Sequence, residues 1–190
     1  MTSTKQQSSR LSADIVVREL RRSHFAVLST VGRDGAPHSA GVNYGVSTRS
    51  GEITLYVVTR VHLQKARDIQ SDPRVALVVP IARRFAWFLP PATIQLRGRA
   101  EIIDGADEVE TGVFRGFWIG RRILKAYKQW RRQGETRICF LKISPDSDVR
   151  TYMVGTNLWD LSRSMEAGAG RVVTQTGHEL QANPLEGGSK

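Results

Sequence analysis

The sequence predicts a mainly β (α+β) fold, a small antiparallel barrel with flanking helices. Three observations carry this expectation. Residues 24 to 59 hold three short β-rich runs joined by tight-turn signals, the pattern of a meander. Residues 93 to 103 alternate cleanly between apolar and polar side chains. The order of elements is a meander with interspersed helices, not the regular strand–helix alternation of a doubly wound parallel sheet.

The elements follow in chain order. Leu11, Ile15, Val16 and Leu20 recur at helical spacing, so a helix is predicted over residues 11–22, with Ser9 or Ser12 as its cap. His24 to Val31 reads as a strand. Gly32-Arg-Asp-Gly35 is a turn, because Asp-Gly tolerates positive φ. Ala36 to Val46 is a second strand, residues 47–51 turn again, and Glu52 to Thr59 is a third strand. Leu63, Ala66, Ile69 and Gln70 fit a short helix that stops at Asp72-Pro73, since the residue before proline avoids helical geometry. Val75 to Ile81 is an apolar strand. In the strand Thr93–Ile103, the residues Ile94, Leu96, Gly98, Ala100 and Ile102 share one face, and Gln95, Arg97, Arg99 and Glu101 the other. Asp107 to Arg132 reads as one long helix, weakened by Gly112, Gly116 and Gly120. A strand at Thr136–Ile143, a short strand at Thr151–Val154, a helix at Leu158–Glu166 and a short strand at Arg171–Val173 complete the reading.

At about 150 residues per domain, 190 residues make one domain, assigned to 11–176, between a mobile amino terminus (1–10) and a polar tail (177–190). Residues 1–10 have no apolar core, so no secretory signal is expected. No apolar run reaches the roughly 18 residues of a membrane span. Cys139 is the only cysteine, which excludes an intrachain disulfide and a thiolate zinc cage. These features lead to an expectation of a cytoplasmic protein. The chain carries 28 Lys and Arg against 18 Asp and Glu, a net charge of +10. Such a charge attracts nucleic acid, anionic lipid or phosphorylated small molecules. Dinucleotide-binding, phosphate-loop and nucleophile-elbow motifs are absent. His24, His38, His62 and His178 are scattered without helical i, i+4 spacing, so no zinc site is expected.

Three segments are candidates for chemistry. In the first, a strand ends at Thr59 and a helix begins just beyond it. Free amides and a positive dipole end favour an anion there. Thr59 adds a hydroxyl, Arg60 a planar fork and Lys65 a point charge. The same charges also suit a solvated connecting loop. The second segment runs from Asp34 to Tyr44, where Ser39, Ala40 and Gly41 are small enough to admit a flat ring against the strand; a packing glycine or a bulge explains them equally. The third, Phe114 to Arg132, holds seven basic residues and no acid. Phe114, Phe117, Trp118, Leu124, Tyr127 and Trp130 are expected to pack inward, with Arg121, Lys125, Lys128 and Arg132 on the other face. That face is either solvated or meets a polyanion or an anionic surface. Cys139, in Ile138-Cys-Phe-Leu, is expected in the core.

The ordered set His24-Phe-Ala-Val-Leu-Ser-Thr, Asp34-Gly-x-Pro-His, Leu55-Tyr-Val-Val-Thr, Lys65-Ala-Arg-Asp-Ile-x-x-Asp-Pro-Arg-Val-Ala-Leu and Leu96-Arg-Gly-Arg-Ala-Glu-Ile resembles the pyridoxamine 5′-phosphate oxidase-like family of flavin-binding split barrels. The resemblance covers residues 24 to about 103. It implies a six-stranded antiparallel split β-barrel and a homodimer with the cofactor site at the subunit interface. It also implies that Thr59, Arg60 and Lys65 hold the cofactor phosphate, that His38, Ser39, Ala40 and Gly41 line its ring, and that Gln64 is a further cofactor-binding residue. The full phosphate-binding pattern and the carboxy-terminal motif of true pyridoxamine phosphate oxidases are missing, so another small organic substrate is expected. FMN, the commoner cofactor among such proteins, is the expected one; the basic helix adds weight to a deazaflavin with an oligoglutamate tail as the alternative, and haem is a further one, with His24, His38 and His62 as candidate ligands. The expected function is a flavin- or deazaflavin-dependent oxidoreductase that moves hydride between cofactor and substrate, with no dedicated catalytic side chain. The alternative is a non-enzymatic flavin or haem binding and storage protein, or a basic nucleic-acid-binding module.

Overall fold

The structure is a computed structural model and describes residues 12–82, 92–103, 108–154 and 169–174. The helix expected at Leu158–Glu166, the amino terminus 1–10 and the tail 177–190 lie outside the described residues.

The first helix, α1 (Ala13–Arg22), begins where the Ser12 hydroxyl accepts the Ile15 amide at 3.4 Å. Asp14 in its first turn and Arg21 and Arg22 in its last match the helix dipole. The strands β1 (Phe25–Val31), β2 (Pro37–Ser47) and β3 (Thr54–Arg60) form the expected meander. The helix α2 (Gln64–Ser71) leads into β4 (Arg74–Ile81) and β5 (Ala92–Ile103). Two helices, α3 (Glu108–Gly112) and α4 (Trp118–Arg132), precede β6 (Ile138–Pro145), β7 (Asp148–Tyr152) and β8 (Ala169–Val173).

Six strands close into an antiparallel barrel in the order β4-β1-β2-β3-β6-β5, with β5 returning to β4. Closure leaves these six without a free edge. The strand β5 explains how the sheet grows beyond the barrel. Its second half, from Gly98, pairs with β6, while Thr93–Gln95 pair with β7, and β8 adds to β7. At the exchange the backbones nearly touch. A Cβ at Gly98 would overlap the Ser144 carbonyl oxygen and lie 2.8 Å from the Pro145 Cα.

Alternation along the strands sends Leu28, Tyr44, Leu55, Leu77, Leu96 and Ile143 into the barrel, all essentially fully buried. Each such side chain contributes about 1.5–3 kcal/mol. The Tyr44 hydroxyl donates to the Leu20 carbonyl at 3.0 Å, which ties α1 to the barrel. The opposite face of β3 and β6 is buried as well. Tyr56, Ile138 and Phe140 meet Phe114, Phe117, Leu124 and Tyr127 in a second apolar cluster. Cys139 is buried, as expected.

The single helix expected over 107–132 is two helices separated by a turn at 113–117. Phe114 and Phe117 enter the second cluster from that turn, beside Leu124 and Tyr127 from α4. Gly120 permits the reversal: a Cβ there would overlap the Phe114 carbonyl oxygen and lie 2.7 Å from the Phe117 ring. Trp118, expected inside, is 62% exposed for the same reason. The strand expected at Thr151–Val154 lies earlier, at Asp148–Tyr152, and ends where Met153 takes φ 61°. Among the described residues no helix is long and apolar enough to cross a membrane.

The crossing at Gly98 yields a test of the architecture. Gly98→Ala sets a methyl against backbone that no rotamer change can move, so a loss of about 1–3 kcal/mol is expected. Urea unfolding of the variant measures it; unchanged stability would contradict the close passage of β5 and β6.

Candidate functional site

A cleft of about 1200 Å³ lies between β2, β3, the start of α2 and α4. Gly41, Thr59, Arg60 and Lys65 all line it, so the structure gathers these four predicted residues. Thr59 is 6% exposed, and its Oγ1 is buried with no hydrogen-bond partner. The helix α2 starts at this rim with Leu63 as N-cap, a residue with no side-chain acceptor for the first-turn amides. The opposite wall is α4, which contributes Trp118, Arg122, Lys125 and Trp130. The Arg60 guanidinium stands 5.1 Å over the Trp130 ring, and that of Arg122 stands 5.5 Å over Trp118. Among the described residues none of Arg60, Lys65, Arg122 and Lys125 is ion-paired. Among the described residues the lining contains no carboxylate and no histidine. This is a cationic, aromatic cleft whose donors await an acceptor.

The other predicted residues lie elsewhere. Side chains alternate along a strand, so the four consecutive residues His38 to Gly41 present two surfaces rather than one. Ser39 shares a 2.9 Å hydrogen bond with the Ser29 hydroxyl across the β1–β2 pair. Ala40 stands opposite Leu28 in the register. Over Gly41 lies the Phe25 ring, whose edge is 3.0 Å from the place a Cβ would take. Phe25 is 47% exposed.

His38 and Gln64 line a second cleft of about 710 Å³, between the β1–β2 turn and the other side of α2. Both bond to Asp68, which the sequence reading did not single out. Asp68 is 2% exposed; its carboxylate accepts from Thr30 Oγ1 at 2.7 Å, His38 Nδ1 at 2.9 Å and Gln64 Nε2 at 2.8 Å. Burial pushes this carboxyl up, but the three hydrogen bonds and the charge of His38 outweigh it and hold the group below its usual range. The i, i+4 relation of Gln64 and Asp68 was visible in sequence. The contacts with Thr30 and His38 were not, because they span 38 and 30 residues.

Residues 13–146 match the family model for pyridoxamine 5′-phosphate oxidase. The chain belongs to the pyridoxamine 5′-phosphate oxidase family. No curated protein matches it. Solved structures share the fold of this family member at low identity. The conserved hypothetical protein Rv2991 from Mycobacterium tuberculosis aligns with a TM-score of 0.57 at 22% identity, over 79% of this chain and 89% of that one. A haem binding protein from Mycobacterium smegmatis aligns with a TM-score of 0.60 at 18% identity, over 86% of this chain and 59% of its own length. The haem storage protein HutZ from Vibrio cholerae aligns with a TM-score of 0.52 at 14% identity, over 73% and 94%.

The described histidines of this pyridoxamine 5′-phosphate oxidase family member, His24, His38 and His62, lie in different surroundings. His24 stacks on Phe117 with centroids 3.5 Å apart, its Nδ1 is buried without a partner, and burial lowers its pKa. His62 is exposed in the loop before α2, and His38 faces the second cleft. On α4, Lys125 reaches the first cleft, while Arg121, Lys128 and Arg132 are exposed outside its lining.

The held-down Asp68 carboxyl predicts a pH dependence. A carboxylate with a lowered folded pKa stabilises above its ordinary value near 3.8, and that contribution disappears as pH falls through the folded value. Asp68→Asn is expected to cost about 1.5–3 kcal/mol at neutral pH, with the gap to the parent protein narrowing below about pH 4. Denaturant unfolding across this range checks it; a gap of constant size would contradict an ionised Asp68.

Proposed function

We propose that this chain is a flavin-dependent oxidoreductase whose cofactor phosphate is held by Thr59, Arg60 and Lys65 in the first cleft. The observation that carries the reading is the buried, unpartnered Thr59 hydroxyl beside Arg60 and Lys65, neither of which is in a salt bridge among the described residues. A buried hydroxyl is rarely left unpaired, and a phosphate, which only accepts, fits all three donors. Rotation about χ1 would turn the hydroxyl toward the cleft. A bound flavin would supply hydride chemistry by itself, which suits a cleft whose described lining residues include no carboxylate and no histidine.

The chain's own residues have distinct tasks in this reading. Trp130 holds the Arg60 fork in place, so less freedom is lost when it grips two phosphate oxygens. Lys65 adds charge from the first turn of α2. Leu63, Ile123 and Trp118 provide apolar walls that exclude water from the ring and a small organic substrate. Two of these, Leu63 and Trp118, are exposed in the single chain, as is Phe25 over Gly41. Their position at the rim supports a homodimer that covers the cleft from the other side.

A specific observation favours a deazaflavin with an anionic tail over FMN. Arg122 and Lys125 stand in the same cleft as the phosphate donors, and Arg121, Lys128 and Arg132, in no salt bridge among the described residues, continue the charge along α4. A single terminal phosphate leaves these cations unused.

Flavin titration followed by absorbance and fluorescence tests both readings. Lys65→Ala should weaken FMN binding by about 1.5–3 kcal/mol, the range for a hydrogen bond to a charged group. Riboflavin, which lacks the phosphate, should bind as before; equal losses would overturn the phosphate site. The double variant Lys128→Glu with Arg132→Glu, outside the cleft lining, should weaken the deazaflavin, most at low salt, and leave FMN nearly unchanged. Equal effects on both ligands would remove the case for the tail, and haemin serves as the third ligand of the series.

A further inference from the structure

The second cleft carries charges that the first does not use. Asp68 accepts its three hydrogen bonds from β1, β2 and α2, so it is fixed from three sides. A carboxylate offers no donor, so His38 donates through Nδ1. In the neutral ring the remaining lone pair then falls on Nε2. The His38 side chain is 40% exposed and lines the cleft. Arg33 and Asp34 face it from the β1–β2 turn, and Arg67 and Gln64 face it from α2. Arg33 is also aimed. Its Nε donates to Ser71 Oγ at 2.9 Å, and that hydroxyl donates to the Arg67 carbonyl, which ties the Arg33 side chain to the end of α2.

The charge of this cleft depends on one proton. With His38 neutral, Arg33 and Arg67 are matched by Asp34 and Asp68. Protonating His38 leaves one positive charge in excess and adds a second N–H donor on the cleft side of the ring. Asp68 fixes the ring through its contact with Nδ1 and is itself out of reach of a ligand, because it is buried and its oxygens are occupied. We propose that this cleft is a proton-gated site for a tetrahedral dianion of the phosphate-ester type, held by Arg33, Arg67 and the Nε2–H of His38. It is independent of the cofactor site: α2 directs Lys65 to one cleft and Gln64, Arg67 and Asp68 to the other.

Sulfate is the suitable probe, because its charge stays constant from weakly acidic to weakly basic pH. Nitrogen-resolved NMR of the full chain reports the tautomer of His38 and its titration midpoint, with and without sulfate at fixed ionic strength. The expected result is an Nδ1–H tautomer at high pH and a midpoint raised by sulfate by about half a pH unit or more, equivalent to a roughly threefold preference for the charged ring. Arg33→Ala with Arg67→Ala should abolish the shift, and Lys65→Ala should preserve it. His38→Gln should bind sulfate with no dependence on pH in this range. An Nε2–H tautomer, an unmoved midpoint, or a shift that survives loss of both arginines would overturn the proposal. A shift lost in Lys65→Ala would place the anion in the first cleft and overturn it equally.

Discussion

Phe140 of β6 stands 5.2 Å from the Tyr127 ring and 6.1 Å from that of Phe114, both at steep angles. This contact fixes where α4 lies, and the first cleft is the space left between α4 and the barrel wall. Such edge-on pairs add about 0.5–1.5 kcal/mol each beyond their buried area. Their structural effect exceeds that energy. They hold the cationic wall of α4 opposite the end of β3, so that Arg122 and Lys125 face the donors Thr59, Arg60 and Lys65. The barrel alone would leave those three on an open surface, where their attraction for an anion is weakened by water and salt.

The helix α2 plays the complementary part. Eight residues long, it divides the cleft beside α4 from the one beside the β1–β2 turn, and the 100° step of a helix decides which side chain serves which. Lys65 turns toward α4. Gln64 and Asp68, one turn apart, turn toward the β1–β2 hairpin. Burying an ionised carboxylate is costly unless it is fully paired, and Asp68 meets that condition with donors from two strands and its own helix. The same three bonds therefore anchor α2 and orient His38.

The strands of the barrel were legible in the sequence because each carries its own signal. Residues 93–103 alternate strictly, and the Asp-Gly turn sets the β1–β2 register. Thr59, Arg60 and Lys65 were legible as one group, because a strand end followed by a helix start brings them together locally. The outer wall was not. Phe114, Phe117 and Leu124 have spacing that suits one helix, and only the tertiary contact with Phe140 shows that the chain turns between them. That error carried Trp118 to the wrong side of α4. Asp68 was missed for a different reason: its partners Thr30 and His38 meet it only once the barrel has closed. The run from His38 to Gly41 was read as one surface, whereas the pleat of β2 divides it between two.

The central claim is that the cleft between α4 and β3 receives a phosphate-bearing flavin. A crystal structure of the protein with FMN bound tests it most directly. The account predicts the phosphate within hydrogen-bonding distance of Arg60, Lys65 and a rotated Thr59 hydroxyl, with the ring in the same cleft. A phosphate seated on Arg33 and Arg67 beside His38, or a flavin that makes no contact with Lys65, would contradict it.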